Sequence, residues 1–210
     1  MILYIDTSSS YLYTGIVDNN KLITERKKEY GHELSKEALP EIVSMFEEKS
    51  IKPNEIKKII VVNGPGSFTG IRIGITIAKV YAWSLNIPIT TITSIEAMTI
   101  SSENDMSKMP IIDARRGYCY AGIFDENNKV ILKPSYITYE DLKEKAKDLS
   151  DYKIITNDKD KLEINANTIE GYTPDILKIV ETFKEKENIN PHAINPEYLK
   201  LTEAEESKQA

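Results

Sequence analysis

Asn63-Gly64-Pro65-Gly66-Ser67-Phe68-Thr69-Gly70-Ile71-Arg72-Ile73-Gly74 is the stretch whose reading decides the fold. It follows the apolar run Ile59-Ile60-Val61-Val62, which reads as a buried strand. It leads into a helical pattern from about Ile71 to Leu85. Gly64, Gly66 and Gly70 remove Cβ atoms where the backbone must turn sharply or approach a neighbour. Thr69 is placed to cap the helix. A strand, a glycine turn and a helix N-terminus outline an anion site, because free backbone N–H groups point outward there. The generic nucleotide motifs do not fit. A Walker A loop needs Lys and then Ser or Thr where Ile71 and Arg72 stand. A Rossmann fingerprint needs glycine in place of Thr69. A nucleophile elbow around Ser67 needs glycines in place of Pro65 and Thr69. On glycine content alone, a tight strand-to-helix turn with no ligand is an equal reading.

Outward from this loop, the first half reads as three strands, a helix, a strand, a helix and a strand. Ile2 to Ile5 is a short apolar strand ending at Asp6, Tyr11 to Val17 is the second, and Asp18-Asn19-Asn20 is a hairpin turn. Lys21 to Tyr30 is polar enough to be an edge strand. A helix from about Glu33 to Lys49 puts Leu34, Ala38, Ile42, Met45 and Phe46 on one face, with Pro40 inside it. After the loop and its helix, Ile89 to Ile92 is a strand, and Thr93 with Glu96 forms a capping box. Residues 102–109 are polar and aperiodic, the best candidate boundary.

The second half repeats the theme in reduced form. Ile111-Ile112-Asp113 is again an apolar strand ending in Asp, followed by a turn at Ala114 to Gly117. Tyr118 to Phe124 and Lys129 to Leu132 form a meander. Thr138 with Asp141 starts a helix, Tyr152 to Thr156 is a strand, and Thr173 with Pro174 starts the last helix.

Composition sets bounds. Of 210 residues, 40% are hydrophobic and 29% charged, and the net charge is −6. Such a chain can bury a real core as one large or two small domains. Its acidity argues against a strong nucleic-acid footprint carried by this chain alone. Cys119 is the single cysteine, which excludes an internal disulfide and a cysteine-based zinc site. No apolar run can span a bilayer and no basic-then-apolar leader is present, so no membrane contact and a cytoplasmic setting are expected.

The string from Gly64 to Gly74 resembles the signature of the TsaB (YeaZ) family. Ile5-Asp6-Thr7-Ser8, Ile112-Asp113-Ala114-Arg115-Arg116-Gly117 and Pro196-Glu197-Tyr198-Leu199-Lys200 agree with it in order and spacing. The resemblance implies an α/β, two-lobed actin/Hsp70/sugar-kinase-like fold with a reduced second lobe. The expected division is 1–105, 106–188 and a C-terminal segment 189–210 packing back on the first lobe. It also implies a non-catalytic partner subunit. Such a subunit supports a TsaD-like enzyme that makes N6-threonylcarbamoyladenosine at adenosine 37 of tRNA. A TsaE-like ATPase is the further partner, and tRNA is the substrate of the complex. No cofactor is expected on this chain, with ATP and metal carried by the TsaD-like partner. The two helices flanking the glycine loop are expected to meet the equivalent pair of that partner in a heterodimer.

The residues offer a surface for this. Gly70, Gly74, Ala78 and Ala82 recur every fourth position and form a ridge that another helix could approach closely. With Ile71, and with Leu34, Ala38 and Ile42 of the other helix, they make the expected partner interface, through which a second copy could also pair. The alternative is that this ridge packs on its own sheet. Asp6, Thr7, Ser8, Gly64, Gly66, Ser67, Thr69, Arg72 and Asp113 outline a vestigial phosphate site, with Ser8 where such folds usually carry glycine. His32 matches the first of two metal-binding histidines in TsaD, but Lys36 occupies the second position, a poor metal site. His192 has no candidate partner, so no catalytic or metal residue is assigned. Asp6 and Asp113 could act as paired carboxylates or simply begin turns. Arg115 and Arg116 could face a phosphate or RNA, or be a solvated pair. The alternative function is a stand-alone ATP-dependent small-molecule kinase of the same fold, using Asp6 and Asp113 around Mg-ATP.

Overall fold

The computed structural model describes residues 1–199. Lys200, which closes the family-like C-terminal string, and residues 201–210 of the expected C-terminal segment lie outside the described residues. The chain forms two compact units, one of Met1–Ser101 with Thr173–Glu197, the other containing Ser102–Tyr172.

The first unit is built on β1 (Ile2–Asp6), β2 (Tyr11–Asp18), β3 (Lys21–Glu29), β4 (Lys58–Val62) and β5 (Ile89–Ile92), in the order β3-β2-β1-β4-β5. β1, β2 and β3 form an antiparallel meander, while β1, β4 and β5 run parallel. Asn19 and Asn20 close the meander at φ 45° and 60°, left-handed positions that asparagine tolerates. Two helices make the parallel crossovers, α1 (Leu34–Glu48) and α2 (Phe68–Leu85). α1 buries Leu34, Ala38, Ile42, Met45 and Phe46, the face its periodicity predicts. These helices and the sheet share one core, in which Ile42, Met45, Ile71, Ile75, Ala78 and Ala82 meet Leu3, Ile5, Ile59 and Val61. α3 (Ser94–Ser101) is opened by reciprocal bonds, Glu96 N–H to Thr93 Oγ1 at 3.0 Å and Thr93 N–H to Glu96 Oε2 at 2.6 Å.

The second unit carries β6 (Ser107–Asp113), β7 (Tyr118–Phe124), β8 (Val130–Thr138), β9 (Tyr152–Ile155) and β10 (Thr168–Glu170), with α4 (Tyr139–Ala146) between β8 and β9. Its order, β8-β7-β6-β9-β10, and its strand directions repeat those of the first sheet. Thr138 caps α4 by accepting the Asp141 N–H at 3.0 Å. Met109, Ile111, Cys119, Ala121, Ile123 and Ile154 pack against Tyr139 and Leu142 of α4.

Four elements differ from the sequence expectation. The polar stretch 102–109 hides the start of β6, in which Lys108 and Met109 are both fully buried. The Lys108 ammonium satisfies itself on the side chains of Asn104 and Asn128, so a charged residue sits in a strand core. β8 continues six residues past Leu132, to Thr138, and β10 has no apolar run to announce it. The last helix, α5 (Ile176–Phe183), is capped by Asp175, whose carboxylate accepts the Lys178 N–H at 2.9 Å. It therefore starts two residues beyond the expected Thr173 and Pro174.

α5 belongs to the first unit, where it packs on α3 and on the β1–β3 meander, although the expected division placed residues 106–188 together. The segment after it continues on this unit. Lys58 Nζ donates to the carbonyls of Lys184 at 2.6 Å and Lys186 at 3.0 Å. Ile189 bridges Ile89, and Ile194 enters the core. Among the described residues, no helix is long and apolar enough to cross a membrane.

Candidate functional site

The glycine string is a lock between α2 and the turn that follows β1. Asp6 ends β1 buried, and its Oδ1 accepts the Ser8 N–H at 2.8 Å, an Asx turn. The turn then runs under the N-terminal part of α2. Thr7 is fully buried, and its Oγ1 donates to the Gly70 carbonyl at 2.7 Å and accepts the Gly74 N–H at 3.0 Å. Gly70 and Gly74 are the i, i+4 pair of one helical hydrogen bond, so a hydroxyl from the neighbouring turn is stitched into the helix ladder. This proximity explains both glycines. A Cβ on Gly70 would stand 2.1 Å from the Thr7 carbonyl oxygen, and one on Gly74 would stand 2.4 Å from Thr7 Oγ1. A Cβ on Gly66 would meet Ser8 O at 2.2 Å, and that oxygen accepts the Ser67 N–H at 2.7 Å.

Ser67 is the cap of α2, not Thr69 as expected: its Oγ accepts the Gly70 N–H at 3.1 Å. The helix begins at Phe68, inside the glycine string, which leaves Thr69 in its first turn and exposed. Gly64 lies against the backbone of Glu197, whose N–H donates to Asn63 O at 2.8 Å. Burial raises the Glu197 carboxyl above its usual range, and Glu96 adds to this. Arg72 is exposed, its guanidinium over the Phe68 ring at 3.3 Å. The outlined phosphate site therefore gathers Asp6, Thr7, Ser8, Gly64, Gly66 and Ser67, with the space at Gly66 filled by the turn after β1 and that at Gly64 by the Glu197 backbone. Asp113 lies in the second unit. There its Oδ1 accepts the Arg115 N–H at 3.2 Å, the same turn that Asp6 makes.

The expected interface residues are internal. Leu34, Ala38, Ile42, Ile71, Ala78 and Ala82 are each at most 4% exposed, and Gly70 and Gly74 are buried against Thr7. The small-residue ridge lets α2 descend onto its own sheet rather than onto a partner, because the Thr7 turn occupies the space a Cβ would need.

The outward faces of the same two helices carry a different set. Leu39 is 52% and Val43 46% exposed on α1, and Val80 is 60% and Trp83 66% exposed on α2. The helices lie side by side and parallel, with Leu34 and Ala38 packed near Ile73 and Ile77, and Phe46 6.1 Å from Tyr81. Sequence periodicity held the signal: each exposed pair is spaced three or four residues apart along one side of its helix.

A cleft of about 400 Å³ opens beside the α2 N-terminus, lined by Ser9, Ser10, His32, Ser35, Ser67 and Thr69. It was not expected from sequence, because its hydroxyls come from separate segments. Its hydroxyls and imidazole can hydrogen-bond a small polar ligand. Among the described residues, no three His, Cys, Asp or Glu side chains converge as a metal site.

A family model described as "TsaD: tRNA N6-adenosine threonylcarbamoyltransferase" matches residues 22–166. The protein "tRNA threonylcarbamoyladenosine biosynthesis protein TsaB" of Bacillus subtilis is 33% identical, covering 97% of this chain and 96% of its own length. A protein of the same name in Buchnera aphidicola, subspecies Schizaphis graminum, is 29% identical over 62% of this chain and 63% of its length. Among solved structures, YeaZ from Pseudomonas aeruginosa superposes with a TM-score of 0.76 at 17% identity, over 94% of this chain and 99% of that one.

Proposed function

The chain belongs to the TsaB (YeaZ) family, and we propose that it is a non-catalytic subunit that binds a TsaD-like enzyme and supports threonylcarbamoyladenosine formation on tRNA. The observation that carries this reading is the outward apolar face of α1 and α2, where Leu39, Val43, Val80 and Trp83 lie exposed on the helices next to the glycine lock. A large aromatic flanked by branched aliphatics on a paired-helix face is the usual anchor of a protein interface. The TsaD-like subunit is its occupant, a TsaE-like ATPase joins the assembly, and tRNA is the substrate of the whole. The same face could also pair two copies when the partner is absent. The kinase alternative has less support. Asp6 is committed to the Ser8 N–H, and Thr7 and Ser8 occupy the space at Gly66, Gly70 and Gly74 that phosphates would need.

Trp83→Ala tests the reading. It is expected to weaken binding to the TsaD-like subunit by about 2 kcal/mol, roughly 30-fold, and to lower threonylcarbamoyl modification of tRNA while the unfolding temperature holds. Ala78→Glu, aimed at the core, is expected to unfold the chain instead. A folded Trp83→Ala variant that binds and modifies normally would remove this face as the interface.

A further inference from the structure

The sheet of the second unit has one face covered by α4, to which Cys119, Ala121 and Ile123 of β7 point. Tyr118 and Tyr120 alternate with these and point to the other face. Tyr136 on β8 joins them as the register partner of Tyr120. The rings of Tyr118 and Tyr136 stack with centroids 4.7 Å apart and planes 6° off parallel, and Tyr120 lies 5.5 Å from Tyr136. Tyr118 is 37% exposed.

The turn that delivers Tyr118 is built from arginines. The Tyr118 N–H donates to Arg115 O at 3.1 Å, which makes Arg116 and Gly117 its central residues at φ 56° and 76°, after Arg115 at 67°. Such turns favour Asn-Gly, and of the other left-handed non-glycine positions among the described residues Asn19, Asn20, Asn86 and Asn128 are asparagine and Ser50 is serine. A residue with a Cβ is strained there, yet two arginines occupy the position, both exposed. The chain has four arginines. Arg26 pairs with Glu41 and Glu48, and Arg72 lies over Phe68. Arg115 and Arg116 form no ion pair among the described residues. Lys161, tied to Asp158 at 2.6 Å, stands within electrostatic reach of Arg115.

We propose that this tyrosine–arginine face contacts RNA. A base splayed from an RNA loop lies on the Tyr118 ring, which Tyr136 backs from its other face, and Arg115 and Arg116 hold the adjoining phosphates. Stacking platforms flanked by guanidinium groups suit single-stranded RNA, since every base has a π-face and every nucleotide a phosphate. The proposal rests on the reading of the chain as part of a tRNA-modifying assembly, which supplies the RNA.

The test titrates two synthetic RNAs, an anticodon stem–loop and the blunt duplex of its stem, by fluorescence anisotropy across a salt series. Both the full chain alone and its complex with the TsaD-like subunit are used. Arg115→Gln with Arg116→Gln is expected to weaken both RNAs and to flatten the dependence of log K on log salt for the stem–loop by about 1.4, near 0.7 per lost single-strand phosphate contact. Tyr118→Ala is expected to weaken the stem–loop about 5- to 100-fold and leave the duplex unchanged. Tyr118→Phe, which keeps the ring, is expected to bind as wild type. Arg116→Asn is expected to raise the unfolding temperature while lowering RNA affinity, an opposition that a purely structural arginine would not give. An unchanged salt slope in the folded double variant overturns the proposal. So does Tyr118→Ala that binds the stem–loop normally, or loses both RNAs equally. If the wild-type chain does not join the TsaD-like subunit, the function proposed above fails, and the titration of the chain alone still decides this surface.

Discussion

The two sheets share strand order, strand directions and an aspartate that ends the first strand by accepting an N–H two residues on, Asp6 from Ser8 and Asp113 from Arg115. They part at the crossover from the fourth strand to the fifth. In the first unit this is α2, an 18-residue helix. In the second, β9 and β10 are joined by a 3-10 turn at Lys159–Lys161 and irregular chain. The turns after the two aspartates differ accordingly. Thr7 is buried and threaded into α2, whereas Arg115 and Arg116 are exposed. The glycine string is thus the fitting of a helix onto a turn: where the helix is absent, the matching turn needs no glycine for clearance and can carry large side chains.

Glycine substitutions break this comparison most directly. Gly70→Ala drives a Cβ to within 2.1 Å of the Thr7 carbonyl, a backbone atom that cannot rotate away. It is expected to destabilise by about 3 kcal/mol or more, seen as a collapse of the unfolding transition. Gly117→Ala, in the corresponding turn of the second unit, meets nothing within 4 Å and is strained only by φ +76°; the expected loss is about 1 kcal/mol. Equal losses at the two positions would erase the distinction between a filled and an open turn.

Thr7 sharpens it. Gly74→Ala collides with the Thr7 hydroxyl, whereas Gly70→Ala collides with its carbonyl. Thr7→Ala alone is expected to cost about 1–3 kcal/mol through the lost hydrogen bonds. In that background Gly74→Ala should become milder by about 1 kcal/mol or more, while Gly70→Ala should not. A double-mutant cycle from chemical denaturation measures both terms.

The smallest expected effect lies in how each unit holds its first crossover helix. α1 is tied to β3 by Glu41, which Arg26 and Lys28 both contact and to which Tyr30 donates its hydroxyl. That hydroxyl, with Lys28 next, holds the Glu41 carboxyl below its usual value. Its stabilisation is therefore present above the ordinary carboxylate pKa and is lost as pH falls through the lowered one. At α4 the corresponding ion pair is local, Lys147 with Glu144. Glu41→Gln is expected to flatten the acid limb of the stability profile by under about 1 kcal/mol. An unchanged profile from pH 3 to pH 7 would show the tie to be neutral.

Local chemistry made much of this legible. The face of α1, the Asn19-Asn20 turn, the Thr93–Glu96 box and the Thr138 cap all follow from residues within a few positions of one another. The direction of the Gly70–Ala82 ridge was not legible, because it depends on Thr7, more than sixty positions away along the chain. The cap of α2 was misplaced for a related reason, since a helix starting at Phe68 within a glycine string runs against local propensity and is held by the turn beneath it. β6 was cut short because Lys108 and Ser107 look like surface until Asn104 and Asn128 enclose the ammonium. The outward face of α1 and α2 was present in the pattern but overshadowed by the small-residue ridge.

The return of α5 to the first unit sets an order of birth. Ser102–Tyr172 holds β6 to β10 and α4 in one uninterrupted stretch, so the second sheet can form as soon as that stretch leaves the ribosome. The first unit, though translated earlier, waits for Thr173–Glu197: Lys58 for the carbonyls of Lys184 and Lys186, and Asn63 for the N–H of Glu197. At ordinary synthesis rates the stretch from Ser102 to Glu197 takes roughly 5–20 s to emerge. For that interval the nascent β1–β3 meander lacks the helix that covers it.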